Sequence, residues 1–155
     1  MMDEKSLRML EFDEVRTRLS RYASFSASAE RAFSLVPDVD PETIARNLAR
    51  TTEARRLLSI NDTIRLGGCV DFRDALMTAR KSGTLDAKTF VEISYTLAIA
   101  RDLRSSLMHH EKAYPLLAEI AEEMSPPIGL IERINRTVTE RGDVLDSASD
   151  KLAAV

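Results

Sequence analysis

The chain has 155 residues, the length of one ordinary domain with a sizeable core. Apolar residues make up 44% of it and charged residues 30%, as in globular proteins, and no run approaches the roughly 18 apolar residues of a membrane-spanning helix. The net charge of −3 excludes an overall basic surface for nucleic acid, and a single cysteine, Cys69, excludes an internal disulfide or a cysteine-based zinc site. Without a secretory signal pattern after the mixed charges of residues 1–5, we expect a cytoplasmic protein.

Helical periodicity dominates the first forty residues. A first helix is predicted from apolar residues spaced i, i+3, i+7 and i+10, namely Phe12, Val15, Leu19 and Tyr22. After the small residues 24–28, a second helix is expected to run to about Leu35, because Pro37 cannot continue it.

A third helix is predicted to begin at Asp40-Pro41-Glu42 and to reach Leu58. Asp40 can cap the free amides and Pro41 needs no N–H in the first turn. At 100° per residue, Arg55 falls in the middle of the helix's apolar stripe. That stripe comprises Ile44, Leu48, Thr51 and Leu58. The opposite face carries Arg46, Arg50 and Glu53.

Arg55 should need a carboxylate partner, because a guanidinium that leaves a helix on its core-facing side stays charged. Asp71 is the predicted partner in a structural ion pair, and Asp74 is the alternative if capping already occupies Asp71. In a well-buried pair, Arg55→Ala would cost on the order of 3 kcal/mol, since it strands the carboxylate.

The middle of the chain is predicted to contain the longest helix. Gly67-Gly68 marks a turn, followed by a short helix over residues 72–80. A helix over about residues 87–112 is apolar on two faces, which is typical of a helix in the middle of a bundle. A short helix from Tyr114-Pro115 and a helical segment with Ile128, Ile131 and Ile134 follow.

The pattern changes near the end of the chain. Residues 136–139 are β-rich and residues 140–143 are turn-rich, so a short β-hairpin is predicted over residues 136–146. Cap residues then open another helix. The predicted organisation is an all-α, irregular helical bundle in which residues 1–135 form a helical core, 136–146 a hairpin, and 147–155 the start of a truncated helix.

No catalytic or cofactor site is predicted. Adjacent histidines on a helix, here His109-His110, point about 100° apart and cannot converge on a metal ion. Cys69 has no partner that would make it a nucleophile. Gly67-Gly68 is not followed by the lysine and hydroxyl residue of a Walker A loop. We therefore expect no catalysis and no bound cofactor or metal from this chain alone.

Several short segments, in order along the chain, resemble the N-terminal region of MutS-type ATPases. The resemblance is greatest to the second bacterial MutS paralogue family, whose long members end in an Smr endonuclease domain. Arg141 departs from the acidic residue usual in that family. The matching segments are Leu10–Asp13, Thr52–Leu58, Gly67-Gly68 with Asp71 and Arg73, Gly83–Leu85, Tyr114–Leu117 and Gly142–Ser149.

This resemblance implies a helical core that transmits nucleotide state from an ATPase, which binds ATP and Mg²⁺, to a clamp. Its partners would be the remaining lever, clamp and ATPase of the parent chain, which would act as a homodimer on DNA or on stalled ribosomes, in DNA repair and recombination control. Residues 147–155 would begin the lever. Arg46, Arg50 and Arg56 are candidate contacts to phosphate. The alternative is a self-contained helical module for protein–protein interaction.

Overall fold

The computed structural model describes residues 4–60, 64 and 67–149. Within these ranges the chain is helical, apart from loops and one pair of bridged residues, so the predicted all-α class is confirmed. The helices are α1 (Glu4–Met9), α2 (Phe12–Ser20), α3 (Ser26–Phe33), α4 (Pro41–Ile60), α5 (Arg73–Arg80), α6 (Ala87–His109), α7 (Pro115–Glu123), α8 (Ile128–Thr137) and a 3-10 turn, η1 (Asp146–Ala148).

Helix α6 lies at the centre of the packed part of the chain. Asp86 begins it, since its carboxylate accepts a hydrogen bond from the Thr89 N–H at 2.6 Å. Both α7 and α8 pack against α6. Ile93 belongs to one buried cluster and Leu107 to another, so the same helix contributes to both cores. Helix α6 therefore takes the predicted central position, although its second apolar face is only partly covered, since Tyr95 is 56% exposed.

The first buried cluster joins the C-terminal half of α4 to α6 and α7. Ala121 on α7 is fully buried at its centre, which leaves no room there for a larger side chain. Its buried members are Leu57, Leu107, Tyr114, Leu117 and Ala121.

The second cluster joins α6 to α8 and to the segment around α5. Its buried members are Ile93, Ile134 and Val138, and Phe72 packs against them. Ser94 is buried beside this cluster, and its hydroxyl hydrogen-bonds to Asn135 Oδ1 at 2.7 Å. This bond satisfies a polar group that would otherwise be costly to bury.

The first three helices pack mainly on one another. Helix α2 lies against α3, and α1 against α2. Helices α2 and α3 are where the sequence predicts helices, whereas α1 is not predicted, and the apolar face of α2 is only partly covered. Val15 and Leu19 are 49% and 44% exposed, and Tyr22, at 85%, lies beyond the end of α2.

The predicted hairpin over residues 136–146 is wrong. Helix α8 continues through Thr137, and one isolated antiparallel bridge, Val138 with Val144, is all the pairing the described residues show there. Gly142, with φ +85°, makes the tight turn, which Thr139 closes by donating its N–H to the Asp143 carbonyl at 2.8 Å. Val138, the extended residue that follows α8, is buried in the second cluster, so only this one residue of the predicted first strand is both extended and bridged.

The predicted start of a helix at residue 147 is only partly within the described residues. The 3-10 turn η1 spans Asp146–Ala148 and packs against α8. Residues 150–155, where the predicted helix would continue, lie outside the described ranges.

Two adjacent leucines on α4 test this packing directly. Leu57 is 3% exposed and Leu58 is 54% exposed, so the helix buries the first and not the second. We expect Leu57→Ala to lower the free energy of unfolding by about 3 kcal/mol, because it leaves a cavity in the first cluster. The matched control, Leu58→Ala, should change it by less than about 0.5 kcal/mol. Denaturant melts of both variants measure these changes. A larger loss for Leu58→Ala than for Leu57→Ala would mean that the predicted apolar stripe, which includes Leu58, faces the core.

Candidate functional site

The candidate surface is built on α4, the helix that carries the arginines singled out in the sequence. Asp40 caps it as predicted: the Thr43 N–H donates to Asp40 Oδ2 at 2.8 Å, and the hydrogen bonds from Thr43 lower the pKa of that carboxyl. Every residue of the first nine, 41–49, is exposed. The first half of α4 therefore lies at the surface, where Arg46 contacts α7, and only its second half joins the core.

The inner face of α4 is the polar one. Arg46 and Arg50 both contact Glu119 on α7, the latter with its guanidinium 3.4 Å from the carboxylate. All three side chains keep about a third or more of their surface in water, so the pairs contribute little stability individually and instead fix where α4 meets α7. The Arg50 Nε is buried without a hydrogen-bond partner within the described part of the chain.

Glu53, on the same face, caps α7 from another helix. The N-cap residue Tyr114 offers no side-chain acceptor to the free amides of α7. Glu53 Oε2 accepts the Leu117 N–H instead, at 3.0 Å. A carboxylate at this end also favours the positive pole of the helix dipole. The cap places Leu57, one turn further along α4, against the first buried cluster.

The outer face of α4 carries the apolar stripe, and it is exposed. Ile44 is 37% exposed and Leu48 62%. Arg55, in the middle of the stripe, is also exposed. The sequence pattern therefore identifies the stripe correctly but assigns it to the wrong side, because the contacts with α7 rotate the opposite face inward.

The predicted ion pair between Arg55 and Asp71 is replaced by a different one. Asp71 binds Arg73, two residues away, whose guanidinium also holds Glu30 of α3 at 2.9 Å. Ser26 donates its hydroxyl to Asp71 at 3.1 Å. The hydrogen bonds from Arg73 hold the pKa of Asp71 well below its usual range. This network stays charged at neutral pH and ties α3 to the start of α5.

The three candidate phosphate-binding arginines are not equivalent. Arg46 and Arg50 are held by Glu119, whereas Arg56 is exposed on the flank of α4. Neither the role of Glu119 nor the capping by Glu53 is predicted from the sequence. No local pattern signals either, because each partner lies more than sixty positions away along the chain.

The residues considered for chemistry lie apart from this surface. His110 uses its Nδ1 to hydrogen-bond the Ser106 carbonyl at 2.8 Å, one turn back in α6. Partial burial raises the pKa of the Cys69 thiol, which disfavours the reactive thiolate. Within residues 4–60, 64 and 67–149, no three His, Cys, Asp or Glu side chains cluster so as to hold a metal ion. No helix there is long and apolar enough to cross a bilayer.

Comparison with known proteins decides the relationship. No family model matches the chain. Endonuclease MutS2 of Geobacillus thermodenitrificans is 35% identical over 157 residues, which cover 99% of this chain. The MutS2 of Thermomicrobium roseum is also 35% identical over 99% of the chain, and that of Halalkalibacterium halodurans 30% over 96%. The chain is homologous to MutS2 over almost its entire length.

The match also has a limit. The chain spans about 20% of the length of the MutS2 proteins that it matches. The endonuclease named in those relatives is thus an activity of proteins about five times as long, and it is not shown for this segment. The resemblance to MutS2 that the sequence predicts is confirmed.

The capping role of Glu53 makes a stability prediction. Glu53→Ala should lower the free energy of unfolding by about 1 kcal/mol, as for loss of a helix N-cap, because the Leu117 N–H loses its acceptor. Thermal and denaturant melts measure this. The control is Glu122→Ala, an exposed glutamate near the other end of α7. Equal free energies of unfolding for the two variants would contradict the capping role of Glu53.

Proposed function

We propose that this chain is a helical core segment of a MutS2-type protein, which passes the nucleotide state of an ATPase to a DNA-holding clamp and catalyses nothing by itself. The observation that carries the proposal is an alignment that covers 99% of this chain, at 35% identity, with about a fifth of a MutS2 protein. In this proposal the rest of the polypeptide supplies the ATP- and Mg²⁺-binding domain and the endonuclease, and the whole acts in the cytoplasm as a homodimer.

The packing around α6 supports a transmitting role. A segment transmits a displacement when it moves as a packed unit with discrete arrangements. Near one end of α6, Leu107 packs against α7, and near the other end Ile93 packs against α8. A displacement of α6 would therefore move both α7 and α8. DNA repair and recombination control, and action on stalled ribosomes, are the processes we propose for the parent, on the strength of the family resemblance.

A direct contact with nucleic acid is a secondary part of the proposal. Arg56 is the best placed of the three candidates, because it is exposed and no ion pair to it is seen in the described part of the chain. Arg46 and Arg50 would have to leave Glu119 to reach a phosphate. The exposed apolar side of α4, on which Leu48 is 62% exposed, is the observation that favours the alternative of an interaction module.

A chimera tests the transmitting role. The matched fifth of the Geobacillus thermodenitrificans MutS2 is replaced by this chain, and both ATP hydrolysis and DNA affinity with and without nucleotide are measured. We expect nucleotide to change the DNA affinity about fivefold or more. Ala121→Asp, which places a charge at a fully buried site, should abolish this dependence while ATP hydrolysis continues.

The matched control is Ala79→Asp, the same change at an exposed position of α5. It should leave both the hydrolysis and the nucleotide dependence intact. A chimera whose DNA affinity responds to nucleotide equally well with Ala121→Asp would contradict the proposal, as would one that never responds.

A further inference from the structure

Two arginines of α4 share a single carboxylate oxygen. Arg46 and Arg50 each donate from Nη2 to the same atom, Glu119 Oε2 on α7, so two positive charges face one negative charge. A guanidinium has five N–H donors. In the described part of the chain this oxygen is the one acceptor that these two side chains find, and Arg50 Nε is buried there without a partner. Glu119 therefore satisfies the arginine pair only in part.

A phosphate group would suit the same pair. Arginine binds phosphate through charge-assisted and often bidentate hydrogen bonds, and a phosphate offers more acceptor oxygens than one carboxylate oxygen. Arg46 and Arg50 lie one turn apart on one side of α4. Their side chains are 55% and 35% exposed, so an anion can approach from solvent. Glu53, on the same face, is already engaged by the Leu117 N–H.

The core fixes Glu119, whereas the arginines belong mainly to the exposed half of α4. Leu117 and Ala121, on either side of Glu119 in α7, are buried in the first cluster, and α7 packs on α6. Residues 41–49 of α4 are all exposed. Since exposed ion pairs contribute little stability, a shift of α7 relative to the start of α4 can separate the carboxylate from the guanidinium groups while both helices stay intact.

We propose that Glu119 competes with DNA phosphate for Arg46 and Arg50, so that the arginine pair binds DNA only when its carboxylate has moved away. This regulation rests on the nucleic-acid contact of the proposed function and deepens it. Arg56 is available to phosphate at all times, whereas the pair becomes available when α7 shifts. A displacement passed along α6 to α7 would thereby change the affinity of α4 for DNA.

Binding of a fluorescent duplex of about 20 base pairs to the purified chain, followed by anisotropy over a salt series, tests this competition. Glu119→Gln should tighten binding about tenfold at low salt and steepen the dependence of log K on log salt by about one to two, because one or two more phosphates are neutralised. Glu119→Asp keeps the charge but is one methylene shorter. It should tighten binding about threefold, since the carboxylate is drawn back from both guanidinium groups.

Matched variants separate this effect from the general charge of the chain. Glu122→Gln removes the same charge from an exposed position of α7 and should change the affinity less than about twofold. Adding Arg46→Gln and Arg50→Gln to Glu119→Gln should cancel its gain.

A second pair of arginine changes controls for the charge removed in that last variant. Arg80→Gln with Arg133→Gln, at exposed positions of α5 and α8, should leave the gain from Glu119→Gln in place. Thermal melts should show every variant folded, because each changed side chain lies wholly or partly in solvent.

Three results would overturn the competition. They are an unchanged affinity in both Glu119 variants, an equal gain from Glu122→Gln, and a gain that survives the loss of Arg46 and Arg50. Binding that is lost with Arg56→Gln but is indifferent to Glu119 would refute the competition and leave the nucleic-acid contact standing. A chain that binds no duplex in any variant would refute both. None of these results bears on the chimera, which tests nucleotide dependence.

Discussion

The burial of α6 on more than one side is the constraint on which the rest of the packed structure depends. A helix that is apolar around much of its circumference has to be covered from several directions. In this chain α7 and the end of α4 cover one end around Leu107, while α8 and the segment before α5 cover the other around Ile93. The region that is homologous to MutS2 includes this central helix and everything packed on it.

Polar contacts hold the outer helices to the elements packed around α6. Glu53 caps α7, and Glu119 receives two arginines from α4, so the position of α4 is set by charge and hydrogen bonding as much as by apolar contact. Arg73, at the start of α5, holds α3 in place through its ion pair with Glu30. Because α4 is held by its polar face, its apolar face, with Ile44 and Leu48, is turned outward.

Local signals predict the helices well. Asp40 and Asp86 cap the helices that they open, and Pro115 begins α7, because these preferences depend on residues close in sequence. The central position of α6 also follows from its composition. The residues that resemble MutS-type proteins predict the relationship that the comparisons confirm.

Contacts between distant residues explain the errors. Periodicity places the apolar side of α4 inward. The residue that decides the orientation of α4, however, is Glu119, which lies 73 positions after its partner Arg46. Arg55 and Asp71 look complementary in the sequence, yet Asp71 has a nearer partner in Arg73. The β-branched residues around Val138 suggest a strand, but α8 runs through Thr137 and the extended backbone begins only at Val138, whose side chain packs in the second cluster.

Native-state hydrogen exchange of the isolated chain tests the central position of α6 most directly. We predict that amides around Ile93 and Leu107 exchange with the same, highest free energy of opening, because one helix serves both cores. Amides in the exposed first half of α4 should exchange at a much lower free energy than those around Leu57. Unequal protection at the two ends of α6, with one end opening independently, would contradict the account.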